Sequence, residues 1–367
     1  MQSFIQRERY TALDGLRGIF AILVVALHFF GSAAGWTHFP FANADLAVDF
    51  FFMLSGFVLC HVYERGLREK TISVARFLSH RFVRMYPLHI ASMIAMGVVD
   101  RLYWGRLPYV DGVVWTGILN VLLLQSMGVQ TQWSWNGASW SISNEFWIGA
   151  LFLPFVFQRV RTEFVVLAAY AGYLFLYSSV HTLHSVYPTL PGGVSIGMVR
   201  SFSGILLGVA IYRLAMASVS TPVDPFRFRR VAAIVETLLF TAIVYVIYGE
   251  DRGKIEFETL AAMPFLIFSV SRSGSVFARA LSSRPMQWLG EISYSVYLVH
   301  FPLITLGVYL GMMKIVNPYV RFLIFVTIVL AVSTLVYRYF ERPIYRRYRD
   351  AFSRTQHEQQ AVSTTRV

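Results

Sequence analysis

The sequence predicts an all-α fold, a polytopic bundle of about ten transmembrane helices with both termini in the cytoplasm. Three observations lead to this prediction. Hydrophobic residues make up 56% of the 367 residues and charged residues only 14%, whereas soluble domains are about 25% charged. Apolar stretches near the ~20 residues that a membrane helix needs recur along the chain. Basic residues collect in alternate connecting segments, as is typical of cytoplasmic loops.

The candidate spans follow one another along nearly the whole chain. They cover 18–37, 42–63, 85–103, 139–158, 163–181, 195–215, 231–249, 257–272, 288–312 and 319–341. We expect the apolar segment 112–127 to be interfacial or re-entrant, because a full crossing would invert every later loop and remove the charge bias. Residues 1–345 are assigned to the membrane domain and 346–367 to a basic, disordered cytoplasmic tail.

Several classes of protein are disfavoured by composition and motifs. The net charge is +12, but no finger, basic helix or stacking module indicates nucleic acid, and the expected nonspecific partners are membrane lipids. The one cysteine, Cys60, excludes an internal disulfide. No HExxH motif or Cys/His cluster predicts a metal. The first 34 residues imitate a secretory signal, but Asp14, Arg17 and His28 are not needed by a cleaved leader.

The first predicted span carries a polar stripe. His28 follows Arg17 by about three helical turns, so both lie on one face, with His28 about 16 Å deeper, near the bilayer midplane. Asp14 precedes Arg17 by one turn and is placed to pair with it. An ionisable group at that depth usually faces a partner or a cavity. His28 is therefore a candidate catalytic base, with a packing histidine as the alternative.

The second span brings carboxylates to a similar depth. Asp45 and Asp49 share one helix face, and a carboxylate there could orient His28 and raise its basicity. Asp45 is equally compatible with a loop or capping carboxylate. Ser55 and Gly56, further along this span, predict a close approach of another helix.

Two further polar sites follow. Arg81 and Arg84 lie one turn apart and suit phosphate oxygens, although basic residues here could also anchor the chain to anionic headgroups. Glu145 begins an otherwise apolar span, one turn after Ser141, and a carboxylate there needs an arginine or histidine partner. Its alternative role is a capping carboxylate at the helix start.

In order, these segments resemble the bacterial acyltransferase-3 family, integral membrane O-acyltransferases of surface glycans and related acceptors. The matching motifs are Leu-Asp-x-Leu-Arg with a later histidine, Asp-Phe-Phe-x-x-Ser-Gly-Phe, Arg-x-x-Arg-x-Tyr-Pro, Trp-Ser-x-Ser-x-Glu and Gly-x-Ile-Ser-Tyr-x-x-Tyr-Leu-x-His-x-Pro. They cover about residues 10–345. One departure is Met85, which stands where an aliphatic residue is usual.

The resemblance implies a reaction and its participants. The donor is an acyl-coenzyme A, expected to carry acetyl, and the acceptor is a glycan, a lipid-linked sugar or a small hydroxylated molecule. Polysaccharide O-acetylation at the bacterial cytoplasmic (inner) membrane is the implied role. The expected catalytic residues are His28, Asp49 and Glu145, the donor-binding residues Arg17, Arg81, Arg84 and Tyr86, and the supporting residues Asp14, Asp45 and Ser141.

Some alternatives stay open at this level. Direct transfer with His28 as base and a covalent acyl-histidine relay are both compatible with the motifs. His300 lies on the helix face opposite Glu291, which favours a structural role for it. The closing motif around Glu341 and Pro343 is expected to stop the last helix. A transporter, exporter or proton-coupled carrier is the alternative function, but it predicts inverted repeats with broken helices, which the sequence does not show.

Overall fold

The computed structural model describes residues 9–33, 39–107, 112–130, 132–180, 183, 189–190, 193–218, 225–249, 254–314 and 317–350. The helices in this part of the chain are α1 Thr11–His28, α2 Leu46–Leu59, α3 Arg65–Arg68, α4 Val74–Trp104, α5 Val113–Val121, α6 Trp140–Arg159, α7 Thr162–Ser179, α8 Ile196–Ala217, α9 Pro225–Tyr248, α10 Lys254–Arg272, α11 Val276–Leu281, α12 Arg284–Tyr309 and α13 Pro318–Val336.

Short irregular elements connect or extend the helices. π-helical turns at Phe29–Ala33, Cys60–Glu64 and Tyr337–Glu341 prolong α1, α2 and α13. Single 3₁₀ turns occupy Gly137–Ser139 and Met312–Lys314. The strands β1 Thr189–Leu190 and β2 Val194–Ser195 form a small antiparallel pair before α8.

Each of the ten predicted spans coincides with a long helix, namely α1, α2, α4, α6, α7, α8, α9, α10, α12 and α13. Seven helices in the described ranges are long and apolar enough to cross a bilayer: Thr11–Gly31, Leu46–Arg68, Val74–Trp104, Ile196–Ala217, Phe226–Tyr248, Arg284–Tyr309 and Pro318–Asp350. The helical membrane bundle is therefore confirmed. The count of ten and the orientation of the termini stay predictions.

The ambiguous segment 112–127 contains the nine-residue helix α5. At 1.5 Å per residue this helix is about 14 Å long, roughly half of the ~30 Å hydrocarbon core. It is followed by turns rather than by a second helical half. Its length agrees with the expected interfacial or re-entrant role.

The last helix extends further than the sequence predicts. The motif around Pro343 does not stop it, because helical structure continues to Asp350. In the π turn Tyr337–Glu341, just before Pro343, the regular α-helical hydrogen bonds are already replaced. The N–H that Pro343 lacks therefore disrupts the helix less than it would in a regular α-helix. Residues 346–350 of the predicted tail are thus helical, and 351–367 lie outside the described residues.

Glycine contacts between parallel helices set the geometry of the bundle. A Cβ on Gly18 of α1 would lie 2.8 Å from the carbonyl carbon of Leu289, and a Cβ on Gly290 of α12 would overlap the carbonyl of Asp14. α1 and α12 therefore touch backbone to backbone. Their parallel course agrees with an even number of chain reversals between them.

Close glycine contacts also join α2 to α8. A Cβ on Gly56 would overlap the Ile205 carbonyl, and a Cβ on Gly208 would overlap the Met53 carbonyl. The predicted close approach at Gly56 is therefore confirmed. Since both helices run in the same direction, the carboxylates early in α2 face the start of α8 and not α1.

Candidate active site

A cavity of about 350 Å³ lies between α1, α2, α4, α6 and α12. Along α2 its wall runs from Val48 to Tyr63, about 22 Å of helix. One end is basic and aromatic, lined by Arg17, His80, Arg81, Arg84, Tyr294 and Tyr345. The other end is formed by Val48, Phe51, Ser141 and Tyr297. The cavity is thus long, with a cationic end and an apolar end.

Arg17 is held at the cationic end by α1 and α12 together. Its Nε donates to Ser293 Oγ at 2.9 Å and its Nη2 to the Gly290 carbonyl at 2.8 Å. Asp14 lies one turn earlier, with 3.0 Å between its Oδ1 and the same Nη2, so the predicted i,i+3 pair is confirmed. This pair keeps the guanidinium in place at the cavity wall.

Arg81 comes from α4, which begins well before the predicted span. Ser73 caps the helix by accepting the N–H of Arg76 at 3.2 Å, and this places the arginine motif on a helix and not in a loop. The buried Arg81 lies against Gly149 of α6, where any Cβ would be within 2.8 Å of the guanidinium carbon. Gly149 therefore leaves the room that this guanidinium occupies.

Glu145 is the partner of Arg81. The Arg81 Nη2 donates to the Glu145 carbonyl at 2.7 Å and lies 3.7 Å from its Oε1. Ser55 donates to the same carboxylate at 2.6 Å. The expectation of an arginine partner for Glu145 is met, and all three side chains line the cavity.

Arg84 is held by a residue from the far end of the chain. Its Nη1 forms an ion pair with Glu341, whose other oxygen accepts from Ser295 at 2.7 Å. The guanidinium also lies over the ring of Tyr294, 5.7 Å from its centroid. Tyr86, the remaining predicted donor-binding residue, is not among the residues lining this cavity and stacks on Phe82 at 4.3 Å.

The partner of Asp49 in the structure is not the predicted His28. Asp49 pairs with Arg200 of α8, and both side chains are fully buried. Arg200 also donates to the Asp45 backbone carbonyl at 3.3 Å and to the Leu183 carbonyl. The cause is the contact of α2 with α8, which turns this helix face away from α1.

The side chain that contacts the His28 ring is His300 of α12. His300 Nε2 and His28 Nδ1 are 3.1 Å apart, and His300 is fully buried. Each Nδ1 also lies 3.1 Å from the carbonyl four residues earlier on its own helix, Val24 for His28 and Val296 for His300. Two histidines therefore meet near the middle of the bundle.

Tyr297 separates the histidine pair from the apolar end of the cavity. Its hydroxyl is 2.7 Å from Ser141 Oγ, its ring packs edge-on against Phe51, and its ring centroid lies 6.1 Å from that of His300. The cavity thus ends one side chain away from the histidines.

Three residues of this site were missed or undervalued in the sequence. Glu341 was assigned only to a helix stop, and His300 was judged by its position relative to Glu291 on its own helix. Arg200 had a usable signal, because it is an arginine inside an apolar segment and Asp49 is a carboxylate inside another. Such charges are expected to pair.

The fold and the cavity define a polytopic membrane protein with an arginine-lined cavity, whose far end is separated by Tyr297 from a pair of histidines. Comparison with known sequences gives the class. A family model described as an acyltransferase domain matches residues 10–338. The chain belongs to this family, the acyltransferase-3 family, and is an integral membrane protein of the bacterial inner membrane.

Individual relatives agree with this assignment. The peptidoglycan O-acetyltransferase OatA of Listeria monocytogenes is 26% identical over 92% of this chain and 56% of its own. The acyltransferase MdmB of Streptomyces mycarofaciens is 28% identical over 82% of this chain and 80% of its own. Protein 2 of the picA locus of Rhizobium radiobacter is 45% identical over 24% of this chain and 44% of its own.

The matched residues therefore span about half the length of OatA and of the picA-locus protein. No solved structure matches the chain.

Proposed function

We propose that this acyltransferase moves an acyl group, with acetyl favoured, from acyl-coenzyme A to a hydroxyl of a glycan-type acceptor. The observation that carries the proposal is the cavity itself, which has three arginines at one end and, at the other, Tyr297, whose ring packs against the His300 partner of His28. A donor with anionic phosphates and a long thioester arm matches this charge distribution.

The donor's phosphates meet Arg17, Arg81 and Arg84. Guanidinium groups bind phosphate oxygens through planar forks of donors. Arg81 and Arg84 already interact with Glu145 and Glu341, so the phosphates compete with these carboxylates for them. In the absence of a donor, these ion pairs neutralise Arg81 and Arg84.

The thioester carbon reaches the apolar end, next to Tyr297. His28 takes the proton of the acceptor hydroxyl at Nε2, and the oxygen attacks the thioester carbonyl. The new C–O bond forms as the C–S bond breaks, and the leaving thiolate takes the proton from His28. In the relay version, Nε2 of His28 attacks the thioester carbonyl first, the C–S bond breaks and coenzyme A leaves as the thiolate. The acceptor hydroxyl then attacks the acyl-imidazolium carbonyl, the C–N bond breaks, and the hydroxyl proton passes to the freed Nε2 and from there to the thiolate.

The acceptor class rests on the relatives. OatA is named as an O-acetyltransferase of peptidoglycan, so a glycan hydroxyl is proposed here, with a lipid-linked sugar or a small hydroxylated molecule as the alternative acceptors.

The test is release of coenzyme A and label transfer from radiolabelled acetyl-coenzyme A by purified protein. The wild type is compared with His28→Ala and with Arg81→Ala/Arg84→Ala. We expect turnover in the wild type, loss of turnover without His28 and weaker donor binding without the arginine pair. Turnover by a folded His28→Ala protein overturns the proposed mechanism. A folded wild type that neither binds nor turns over acyl donors overturns the function in favour of transport.

A further inference from the structure

The groups around His28 and His300 determine which ring nitrogen of each imidazole carries the hydrogen. Nδ1 of His300 lies 3.1 Å from the Val296 carbonyl, and an oxygen acceptor requires a hydrogen on that nitrogen. In the neutral ring the hydrogen on Nδ1 leaves a lone pair on Nε2. His300 therefore presents an acceptor to His28.

His28 completes the pattern. Its Nδ1 lies 3.1 Å from both the Val24 carbonyl and Nε2 of His300, and both are acceptors. Its hydrogen therefore resides on Nδ1, and the lone pair of the neutral ring resides on Nε2. That is the nitrogen a base needs for abstracting a proton, or a nucleophile for accepting an acyl group.

The segment that carries His300 is fixed from two sides. Gly18 and Gly290 bring α1 and α12 into backbone contact before the histidines. Pro302 has no N–H, so it cannot donate to the Leu298 carbonyl as an ordinary helical residue would. Nδ2 of Asn136 donates to that carbonyl at 2.8 Å instead. The helix is thus anchored within one turn of His300.

We propose that His300 is the positioning residue of His28: it accepts the Nδ1–H, fixes the tautomer and the ring orientation, and supports the positive charge that forms. The proposal rests on the proposed function, in which His28 reacts through Nε2. When Nε2 takes a proton, the imidazolium keeps its Nδ1–H bond to His300.

A neutral partner suits this depth in the membrane. A carboxylate would bring a full charge into a low-dielectric region and would need partners of its own. The buried carboxylate of α2, Asp49, has such a partner in Arg200. A histidine supplies the acceptor without that desolvation cost.

The test compares two substitutions of His300 that differ in whether they keep the acceptor. His300→Gln places an amide oxygen close to the position of Nε2, whereas His300→Leu removes the acceptor and keeps much of the volume. We expect kcat of His300→Leu to fall about 100-fold with KM for the donor nearly unchanged, and His300→Gln to recover most of the loss.

A matched control is His89→Gln. His89 is also fully buried, and its Nε2 contacts the Asn120 carbonyl at 2.9 Å, away from the histidine pair. We expect its kcat per folded protein to stay at the wild-type value. Equal losses in His300→Gln and His300→Leu, or a loss as large in His89→Gln, overturn the positioning role.

A readout independent of turnover separates this proposal from the proposed function. Nitrogen-15 NMR of histidine-labelled protein distinguishes the two neutral tautomers, and the His28 signal is identified by its loss in His28→Ala. We expect a protonated Nδ1 in the wild type and a mixture of tautomers in His300→Leu. A protonated Nε2 in neutral wild-type His28 overturns the proposal even if acetyl-coenzyme A is turned over. The expected tautomer without any turnover overturns only the proposed function.

Discussion

The guanidinium of Arg200 reaches from α8 to both carboxylate oxygens of Asp49 on α2, and neither side chain has exposed surface. The ring of Trp140 lies beside the guanidinium, 5.6 Å away, and the Asp45 carboxylate is 3.8 Å from it. This arrangement explains why the carboxylate sits so deep in an apolar helix, because its charge is neutralised within the bundle.

We expect Asp49→Ala to destabilise the protein strongly, since it leaves Arg200 charged, buried and without its main partner. Breaking a buried pair in this way costs about 3–5 kcal/mol. The double variant Asp49→Leu/Arg200→Met is expected to be more stable than Asp49→Ala. Unfolding in detergent can be followed with a thiol-reactive dye, because the single cysteine, Cys60, is buried.

Glu163→Ala is the control for that experiment, because its pair with Arg161 is largely exposed and contributes little. If Asp49→Ala unfolds like the wild type but loses turnover, Asp49 belongs to the reaction and not to the scaffold.

Arg84 is expected to act in donor binding. Arg84→Ala should raise KM for acetyl-coenzyme A about tenfold, equivalent to about 1.4 kcal/mol, with a smaller effect on kcat. Arg342→Ala removes an equal charge from an exposed position near the same end of the bundle, and its KM should stay close to the wild-type value. Similar increases in both variants would mean that overall positive charge, and not the Arg84 guanidinium, attracts the donor.

Ser141 and Tyr297 are expected to act as a unit at the apolar end of the cavity, because their hydroxyls share one hydrogen bond. Ser141→Ala and Tyr297→Phe should each lower kcat about fivefold, or about 1 kcal/mol. The double variant should lose no more than either single variant. Independent, multiplicative losses in this double-mutant cycle would contradict a shared role.

Gly56 is expected to tolerate no side chain. Gly56→Ala places a Cβ onto the Ile205 carbonyl, so α2 and α8 must separate, at a cost of about 1–3 kcal/mol. Gly117→Ala in α5 meets only the Trp135 ring, at an ordinary 3.5 Å, and should be neutral or slightly stabilising. Unfolding temperatures that are equal for the two variants would rule out this close contact of α2 and α8.

Local sequence patterns were enough to predict most of the fold. Apolar length predicted all ten long helices, and spacing within one helix predicted the pair of Asp14 with Arg17. A carboxylate at the start of an apolar helix predicted a cationic partner for Glu145, which the structure identifies as Arg81. These are relations within a helix, or requirements that a single residue imposes on its surroundings.

Which helices contact each other could not be predicted from the sequence. Asp49 was assigned to His28 because both lie at a similar depth, but depth does not determine which helix faces which. The glycine contacts of α1 with α12 and of α2 with α8 determine this, and their register follows from tertiary packing. His300 was compared with Glu291 on its own helix, whereas its neighbour is on α1.

The backbone contact between α1 and α12 also constrains the donor. His28 and His300 are held on two helices in backbone contact, so the donor itself has to extend from the arginines to the histidines. His28 lies about 16 Å beyond Arg17 along α1. This distance sets the minimum length of the arm that joins the phosphates of the donor to its thioester. An acetyl thioester of a short thiol is shorter than this distance, so it cannot contact Arg17 and present its thioester to His28 at the same time.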